Sequence, residues 1–308
     1  MTANAINTEN LTKAYRRVQA LRNLNLQIPT GSTYALVGPN GAGKTTAIKI
    51  LMNITRPTAG RAQVLGLESS QIAGAAFTQI GYISENQDLP DWMRVGAFIE
   101  FLRPFYPTWD REFERALIRR FDLPLDRKIK HLSRGMKMKA ALASSLSYHP
   151  KLIVLDEPFS GLDPLVRDEL IEGLKARAAQ STILISSHDL GEIETFATHV
   201  GYLEQGGLRF SGELATLTKC YREVVLTLEA PFASPAQLPP AWIQFHAASE
   251  FAVHFIATDF DRERTTAQVQ QIFGTEVTTT ITPMSRRSIV LAMAKAGRAS
   301  KDRDDERA

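Results

Sequence analysis

The sequence predicts an α/β fold in which a parallel sheet is covered by helices on both faces. Residues 152–155 and 182–185 are short, mostly apolar strands, and a helical segment at 164–179 lies between them. Strands of this kind alternate with helices in sheets that are buried on both faces. A further strand, at 33–37, runs directly into a glycine-rich turn and a helix at 44–52.

The composition is that of an ordinary globular protein. The chain has 308 residues, of which 44% are hydrophobic and 22% charged, enough for about two domains. The net charge is only +3, too even to indicate a nucleic-acid partner. The longest apolar runs are far shorter than the roughly 18 residues of a spanning helix, and the N-terminus lacks a signal-peptide profile. Because the single cysteine, Cys220, cannot form an intramolecular disulfide, we expect a reducing, cytosolic compartment.

The chain is expected to divide into a large domain at 1–220 and a small α+β module at 221–296, followed by a disordered tail at 297–308. Within the large domain, residues from about 90 to 150 are expected to be mostly helical. In the small module we expect three strands and two helices, at 224–228, 251–257, 277–281, 261–273 and 285–294.

The glycine-rich turn has the spacing of a phosphate-binding loop, with two glycines five residues apart followed by Lys44 and Thr45. Backbone N–H groups of such a loop surround phosphates, and the next helix presents its positive end to them. Lys44 would reach the β and γ oxygens, and the Thr45 hydroxyl would ligate magnesium. The predicted nucleotide contacts are Gly38, Pro39, Asn40, Gly41, Ala42, Gly43, Lys44, Thr45 and Thr46.

Two adjacent carboxylates, Asp156 and Glu157, follow the strand at 152–155. Ligands bind at the carboxyl ends of strands in open α/β sheets. Asp156 would hold the magnesium ion, largely through water, and Glu157 would polarise an attacking water. The alternative is a solvated acidic turn, which the nearby phosphate loop disfavours.

With these motifs, residues 5–215 resemble the nucleotide-binding subunit of an ATP-binding cassette (ABC) transporter. The resemblance implies a P-loop NTPase cassette with an antiparallel β subdomain and a helical subdomain. It also implies ATP and Mg²⁺ as cofactors and Lys44, Glu157 and His188 as catalytic residues. Further positions are carried over from the family: Tyr15 stacking on adenine, Asp163 in a loop at the dimer interface, and the signature residues Ser133, Arg134, Gly135 and Met136, which would act on the nucleotide of a second copy.

The chain departs from the family pattern at two places. Glu85 stands where a glutamine that touches magnesium and water is usual, and Gln87 follows two residues later. A carboxylate could ligate magnesium but would repel the γ-phosphate, so either residue remains a candidate for that contact. In the signature, Arg134 and Met136 stand where glycine and glutamine are commoner. Since Ser133 and Gly135 are retained, we expect activity to survive.

The single cassette and the short C-terminal module resemble ATPase subunits of type-2 (ABC-2) bacterial exporters. This resemblance implies transmembrane permease subunits encoded separately, a second copy of the chain or a homologous ATPase subunit, and no nucleic acid. It places the chain on the cytoplasmic side of the inner membrane, held peripherally through the permease. The alternative is a soluble ABC ATPase that acts on ribosomes or DNA. Such proteins usually carry two cassettes or a long coiled-coil insertion, and one phosphate loop without sustained heptads favours transport.

Two patterns in the helical stretch have structural interpretations. Phe98, Phe101, Leu102 and Phe105 share one face at helical spacing, which predicts a core face. A basic run without acids favours a solvated helix face over contact with lipid headgroups or an acidic permease loop. The run consists of Arg127, Lys128, Lys130, Arg134, Lys137 and Lys139.

Overall fold

The computed structural model describes residues 3–85, 87–232, 235, 237–274 and 276–305. The chain divides into two compact units, Met1–Ser211 and Gly212–Ala308. This boundary lies earlier than the expected one at residue 220. Leu217 and Cys220 pack against a hydrophobic cluster of the second unit, which is why the helix that carries them belongs there.

The described elements follow one another in chain order. Those that begin in the first unit are β1 (Asn4–Tyr15), β2 (Val18–Leu24), β3 (Gln27–Pro29), β4 (Thr33–Val37), α1 (Lys44–Leu51), β5 (Ala59–Val64), β6 (Leu67–Glu68), β7 (Ile80–Ser84), α2 (Val95–Leu102), α3 (Arg111–Arg120), α4 (Arg134–Leu146), β8 (Leu152–Asp156), α5 (Pro164–Ala178), β9 (Thr182–Ser187), β10 (His199–Glu204) and β11 (Gly207–Glu213). Those of the second unit are α6 (Leu214–Cys220), β12 (Arg222–Leu228), β13 (Trp242–Ser249), β14 (Ala252–Ala257), α7 (Arg262–Phe273), β15 (Val277–Pro283) and α8 (Arg286–Asp305).

The first unit is built around a six-stranded sheet in the order β11-β10-β4-β9-β8-β7. Neighbouring strands from β10 to β7 are parallel, and β4, β8 and β9 are buried along their whole length. A second, antiparallel sheet has the order β2-β1-β5-β6, with β3 paired to β1. The predicted α/β class with an antiparallel β subdomain is confirmed.

The helical subdomain contains α2, α3 and α4, and it corrects the expected aromatic face. Phe98 is 7% exposed and lies in the core, but Phe101 and Phe105 are 57% and 58% exposed. The α-helix ends at Leu102, and a 3₁₀ turn over Arg103–Phe105 follows. Because a 3₁₀ turn has three residues per turn, the helical spacing no longer places Phe105 on the face of Phe98.

The basic run is only partly a solvated face. Three of its cations have acidic partners in the structure. They are Arg134 with Glu85, Lys137 with Asp91 and Lys139 with Glu169. These acids come from segments far from the run in sequence, so the run's own composition could not reveal them.

The second unit is a four-stranded antiparallel sheet in the order β13-β14-β12-β15. One hydrophobic cluster contains Val224 of β12, Phe255 of β14 and Val269 of α7. Tyr221, Ile256 and the α8 residue Ile289 belong to another. Sequence reasoning missed β13 because it follows a proline-rich stretch.

The C-terminal segment differs from the expected disordered tail. Helix α8 extends to Asp305, in a segment rich in the strong helix formers Ala, Lys and Arg. Residues 306–308 lie outside the described part of the chain. Among the described helices, none is both long and apolar enough to cross a membrane.

Candidate nucleotide-binding site

The phosphate loop connects β4 to α1 and has a backbone that requires glycine. Gly41 and Gly43 have φ angles of 79° and 108°, in the left-handed region. A Cβ atom at Gly43 would lie 2.5 Å from the Ala20 carbonyl oxygen, and one at Gly38 would lie 2.1 Å from that of Leu203. The loop therefore turns tightly against its neighbours and delivers the first N–H groups of α1 to its open side.

Lys44 is the first residue of α1 and is only 5% exposed. Its Nζ donates hydrogen bonds to the carbonyl oxygens of Gly38, at 2.6 Å, and Pro39, at 3.2 Å. The same nitrogen forms an ion pair with Oε1 of Glu157 at 3.0 Å. The cation is thus held inside the loop and next to the predicted catalytic carboxylate.

Asp156 and Thr45 form a compact pair of oxygen donors. The Thr45 hydroxyl donates to Oδ1 of Asp156 at 3.1 Å, and the Ser186 hydroxyl donates to the same oxygen at 2.7 Å. Burial raises the pKa of Asp156. Ser186 lies opposite Asp156 in the parallel pairing of β8 and β9, and sequence reasoning missed it. Because this contact follows from strand register, no local motif signals it.

The Thr45 hydroxyl and the Asp156 carboxylate suit a magnesium ion that takes its other ligands from phosphate and water. Among the described residues, no group of three His, Cys, Asp or Glu side chains could hold a metal ion. Mg²⁺ is usually held by one or two carboxylates together with substrate phosphates and water. Thr45 and Asp156, beside the phosphate loop, match that requirement.

Glu157 has partners on both of its carboxylate oxygens. Oε1 pairs with Lys44, and Oε2 lies 2.9 Å from Nδ1 of His188. The hydrogen bond with Glu157 raises the pKa of His188. The backbone N–H of Glu157 donates to the Ser186 hydroxyl at 2.9 Å, and its φ angle of 50° is unusual for a residue with a side chain. The structure brings these predicted catalytic side chains together.

Glu85 lies at the end of β7 and pairs with the signature residue Arg134. Nη2 of Arg134 donates to Oε1 of Glu85 at 2.7 Å, and this hydrogen bond lowers the pKa of Glu85. Among the described residues, the side-chain hydrogen bonds of Glu85 include neither Thr45 nor Asp156. Two of the three residues at which the sequence departs from its family pattern, Glu85 and Arg134, are therefore in contact with each other.

A cavity of about 700 Å³ opens beside the loop, a size suited to a small-molecule ligand. Tyr15, Glu85 and Glu157 line it, whereas Gln87 lines a separate, smaller cavity. Tyr15 is partly exposed, and Nζ of Lys13 lies 4.8 Å from its ring centroid. The remaining lining residues are Val18, Gln19, Ala20, Arg22, Asn40, Gly41, Ala42, Gly43, Lys44, Thr45, Thr46 and Gln205, of which Val18, Gln19, Ala20, Arg22 and Gln205 carry no motif.

The signature residues and Asp163 lie at helix N-termini and do not line this cavity. The Ser133 hydroxyl caps α4 by accepting from the Met136 N–H at 3.3 Å. Asp163 caps α5 in the same way, accepting from the Leu165 N–H at 2.8 Å. A Cβ at Gly135 would lie 2.9 Å from Val166. Each residue thus has a local structural role, and the cavity of the chain is built without them.

Comparisons with known proteins agree with this site. The sequence model of a family described as ABC transporter matches residues 21–160. An uncharacterized ABC transporter ATP-binding protein of Synechocystis is 32% identical, over 69% of this chain and 64% of its own length. The bacitracin transport ATP-binding protein BcrA of Enterococcus faecalis is 30% identical, over 71% of this chain and 72% of its own.

A solved structure of an ATP-binding subunit of an ABC transporter has the same fold as the first unit. Its TM-score is 0.64 at 28% identity, and the match covers 70% of this chain and 92% of that one. Taken with the phosphate loop and its acidic partners, these similarities show that the chain belongs to the ABC transporter ATP-binding proteins.

Proposed function

We propose that this chain binds Mg-ATP in the cavity beside the phosphate loop, hydrolyses it with Glu157, and thereby powers a separate membrane permease of the exporter type. One observation carries the proposal. A continuous set of contacts joins the phosphate-loop residues Lys44 and Thr45 to Asp156, Glu157 and His188 at the carboxyl edge of the sheet.

Phosphate binding is assigned to the loop amides and Lys44. The Lys44 ammonium lies within the turn, bonded to two loop carbonyls, so β and γ oxygens that enter the loop meet a cation already in place. Magnesium held by Thr45 and Asp156 would supply further positive charge between these phosphates when bound. Tyr15, which lines the same cavity, would stack on the adenine ring.

Water activation is assigned to Glu157. Phosphate oxygens compete for Lys44, so ATP binding releases Oε1 of Glu157 from its ion pair. That oxygen can then accept a proton from water as the water attacks phosphorus. His188, hydrogen-bonded to the other oxygen, fixes the orientation of the carboxylate.

A second cassette is needed to complete the charge stabilisation around the γ-phosphate. Ser133 and Gly135 stand at the N-terminus of α4, where the helix dipole favours an anion, yet they do not line the chain's own cavity. We therefore assign Ser133, Arg134, Gly135 and Met136 to the nucleotide held by a second copy or a homologous ATPase subunit. Asp163 is assigned to the interface between the two cassettes.

The partner that ATP hydrolysis would drive is a membrane permease of the exporter type. The relative from Enterococcus faecalis is named as a bacitracin transport protein, which supports export over action on ribosomes or DNA. With no described helix able to span a membrane, the chain would contact the membrane through that permease, peripherally at its cytoplasmic side. The near-neutral charge balance gives no support to a nucleic-acid partner.

The Glu157→Gln variant tests the proposal. We expect phosphate release to fall by about 10²–10⁴-fold, the range typical of a lost general base. Nucleotide binding should persist, because Lys44 and the loop remain, and the variant should elute as a dimer from a size-exclusion column run in Mg-ATP.

Lys44→Ala is the matched control. This variant should lose hydrolysis as well, but it should remain monomeric in Mg-ATP because the phosphates are no longer held. Hydrolysis at the wild-type rate by either variant would contradict the assignment of the site.

A further inference from the structure

The ion pair between Glu85 and Arg134 joins three segments of the first unit, and of these two residues only Glu85 lines the nucleotide cavity. Glu85 directly follows β7, and its backbone N–H donates to the Asp156 carbonyl oxygen at 2.8 Å. Arg134 is the first residue of α4. Its guanidinium also lies against the loop after β8, because a Cβ at Gly161 would come within 3.3 Å of Nη1. The Arg134 side chain therefore connects the predicted magnesium region, the signature helix and the interface loop.

The location of Glu85 creates an electrostatic problem. Glu85 lines the cavity that the phosphate loop and Lys44 also line, so a carboxylate residue borders the space in which a triphosphate would lie. Both are anionic at neutral pH, and like charges repel within the Debye length of about 8 Å. A neutral side chain would avoid this repulsion. In this chain the Arg134 guanidinium, whose Nη2 lies 2.7 Å from Oε1 of Glu85, offsets the negative charge of Glu85 instead.

We propose that Arg134 is a positioning residue that neutralises Glu85 and holds it at the rim of the nucleotide cavity, so that ATP can enter beside a carboxylate. This proposal rests on the proposed function, since it requires ATP to occupy the cavity that Glu85 lines. The opposite charges of Glu85 and Arg134 would then compensate each other. The competing interpretation is an ordinary surface ion pair, and such pairs have little effect on function or stability.

The charge argument predicts which variant is harmed and which is rescued. Arg134→Ala leaves Glu85 uncompensated, so ATP should bind more weakly. Glu85→Gln removes the repulsion and leaves Arg134 free, so ATP should bind more tightly. In the double variant neither charge is present, and binding should return close to that of the wild type.

The experiment measures ATP binding to the four full-length proteins by calorimetry, once with Mg²⁺ and once in EDTA. Without magnesium, we expect Arg134→Ala to weaken binding by about fivefold and Glu85→Gln to strengthen it by a similar factor. With Mg²⁺, which neutralises part of the phosphate charge, both changes should be smaller. In steady-state kinetics the Arg134→Ala variant should show its defect mainly in KM.

Lys137→Ala is the matched control, because Lys137 lies on the same helix and pairs with Asp91 at 2.9 Å instead of Glu85. It removes the same charge from α4 and should leave magnesium-free ATP binding unchanged. Circular dichroism checks that each variant is folded. A structural defect from loss of Arg134 would not depend on magnesium and would not be reversed by Glu85→Gln.

Two results would overturn the proposal. One is magnesium-free binding by Arg134→Ala equal to that of the wild type. The other is a weakened Arg134→Ala protein that Glu85→Gln does not rescue, since Arg134 would then act on phosphate directly. If the wild type itself fails to bind Mg-ATP, the proposed function fails. If the wild type binds and hydrolyses Mg-ATP normally and the pair variants do not differ as described, only this inference fails.

Discussion

At the scale of single residues, the two contacts of the Glu157 carboxylate are the most informative feature of the site. The carboxylate contacts Lys44 through one oxygen and His188 through the other. In this arrangement both carboxylate oxygens already have polar partners in the nucleotide-free chain. When nucleotide phosphates replace Glu157 as the partner of Lys44, one carboxylate oxygen would become free to accept a proton from the attacking water.

The pKa of His188 can be measured to test its contact with Glu157. The hydrogen bond with Glu157 raises the pKa of His188, so an NMR titration of the nucleotide-free chain should place it above its ordinary value of about 6.5. In Glu157→Gln the pKa should fall, because the neutral amide no longer favours the imidazolium. A distant charge change on α5, Glu172→Gln, serves as the control and should leave the titration of His188 in place.

The same shift has a consequence for stability, whose sign follows from proton linkage. Because the folded state binds the His188 proton more tightly than the unfolded state, the contact stabilises folding at low pH, below the unfolded value of the pKa. This contribution is lost as the pH rises through the raised pKa of the folded state. An unchanged titration in Glu157→Gln would mean that the two side chains do not interact in solution.

At the scale of elements, α5 depends on a glycine that local propensity disfavours. Gly173 lies in the middle of this helix, where glycine costs about 1 kcal/mol relative to alanine. A Cβ there would lie 2.5 Å from Cζ of the buried Phe121 ring, which follows α3. Close packing of α5 against this ring therefore outweighs the preference for alanine.

Gly173→Ala should consequently destabilise the chain instead of stabilising it. We expect a loss of about 1–3 kcal/mol, the usual cost of overpacking a core, measured by urea denaturation with circular dichroism. Adding Phe121→Leu should recover part of the loss by making room for the methyl group. Lys175→Ala, an exposed change on the same helix, should shift stability by no more than about 0.5 kcal/mol. A stabilised Gly173→Ala protein would show that the ring moves aside at no cost.

At the scale of the whole molecule, we expect the nucleotide site to be independent of the C-terminal unit. Each residue assigned to phosphate, magnesium, adenine or water lies in Met1–Ser211. The second unit has two hydrophobic clusters of its own. A unit with its own core can in principle fold alone.

A fragment of residues 1–213, which retains the complete strand β11, should therefore bind Mg-ATP within about twofold of the full-length chain. Fluorescence titration with a labelled ATP analogue measures this, and Lys44→Ala in the same fragment provides the negative control. A folded fragment with greatly reduced affinity would show that residues after 213 help to form the site.

Much of the site could be predicted because its chemistry is local in sequence. The phosphate loop and the Asp156-Glu157 pair each occupy a few consecutive residues, and strand periodicity places both at the same sheet edge. Boundaries were harder to predict. The unit boundary depends on where Leu217 and Cys220 pack, and the position of Phe105 depends on a turn that interrupts helical spacing.

The sequence by itself determined the fold class and predicted the nucleotide chemistry and the residues that would carry it, because these follow from short spacings and strand-turn-helix order. Only the tertiary structure decided which distant side chains meet. Glu85 and Arg134 are 49 positions apart, and Asp156 and Ser186 are 30 apart. Such contacts depend on strand register and on the packing of α4 beside β7, which no local pattern encodes. For this reason two separate departures from a family pattern could be recognised as one ion pair only in the folded chain.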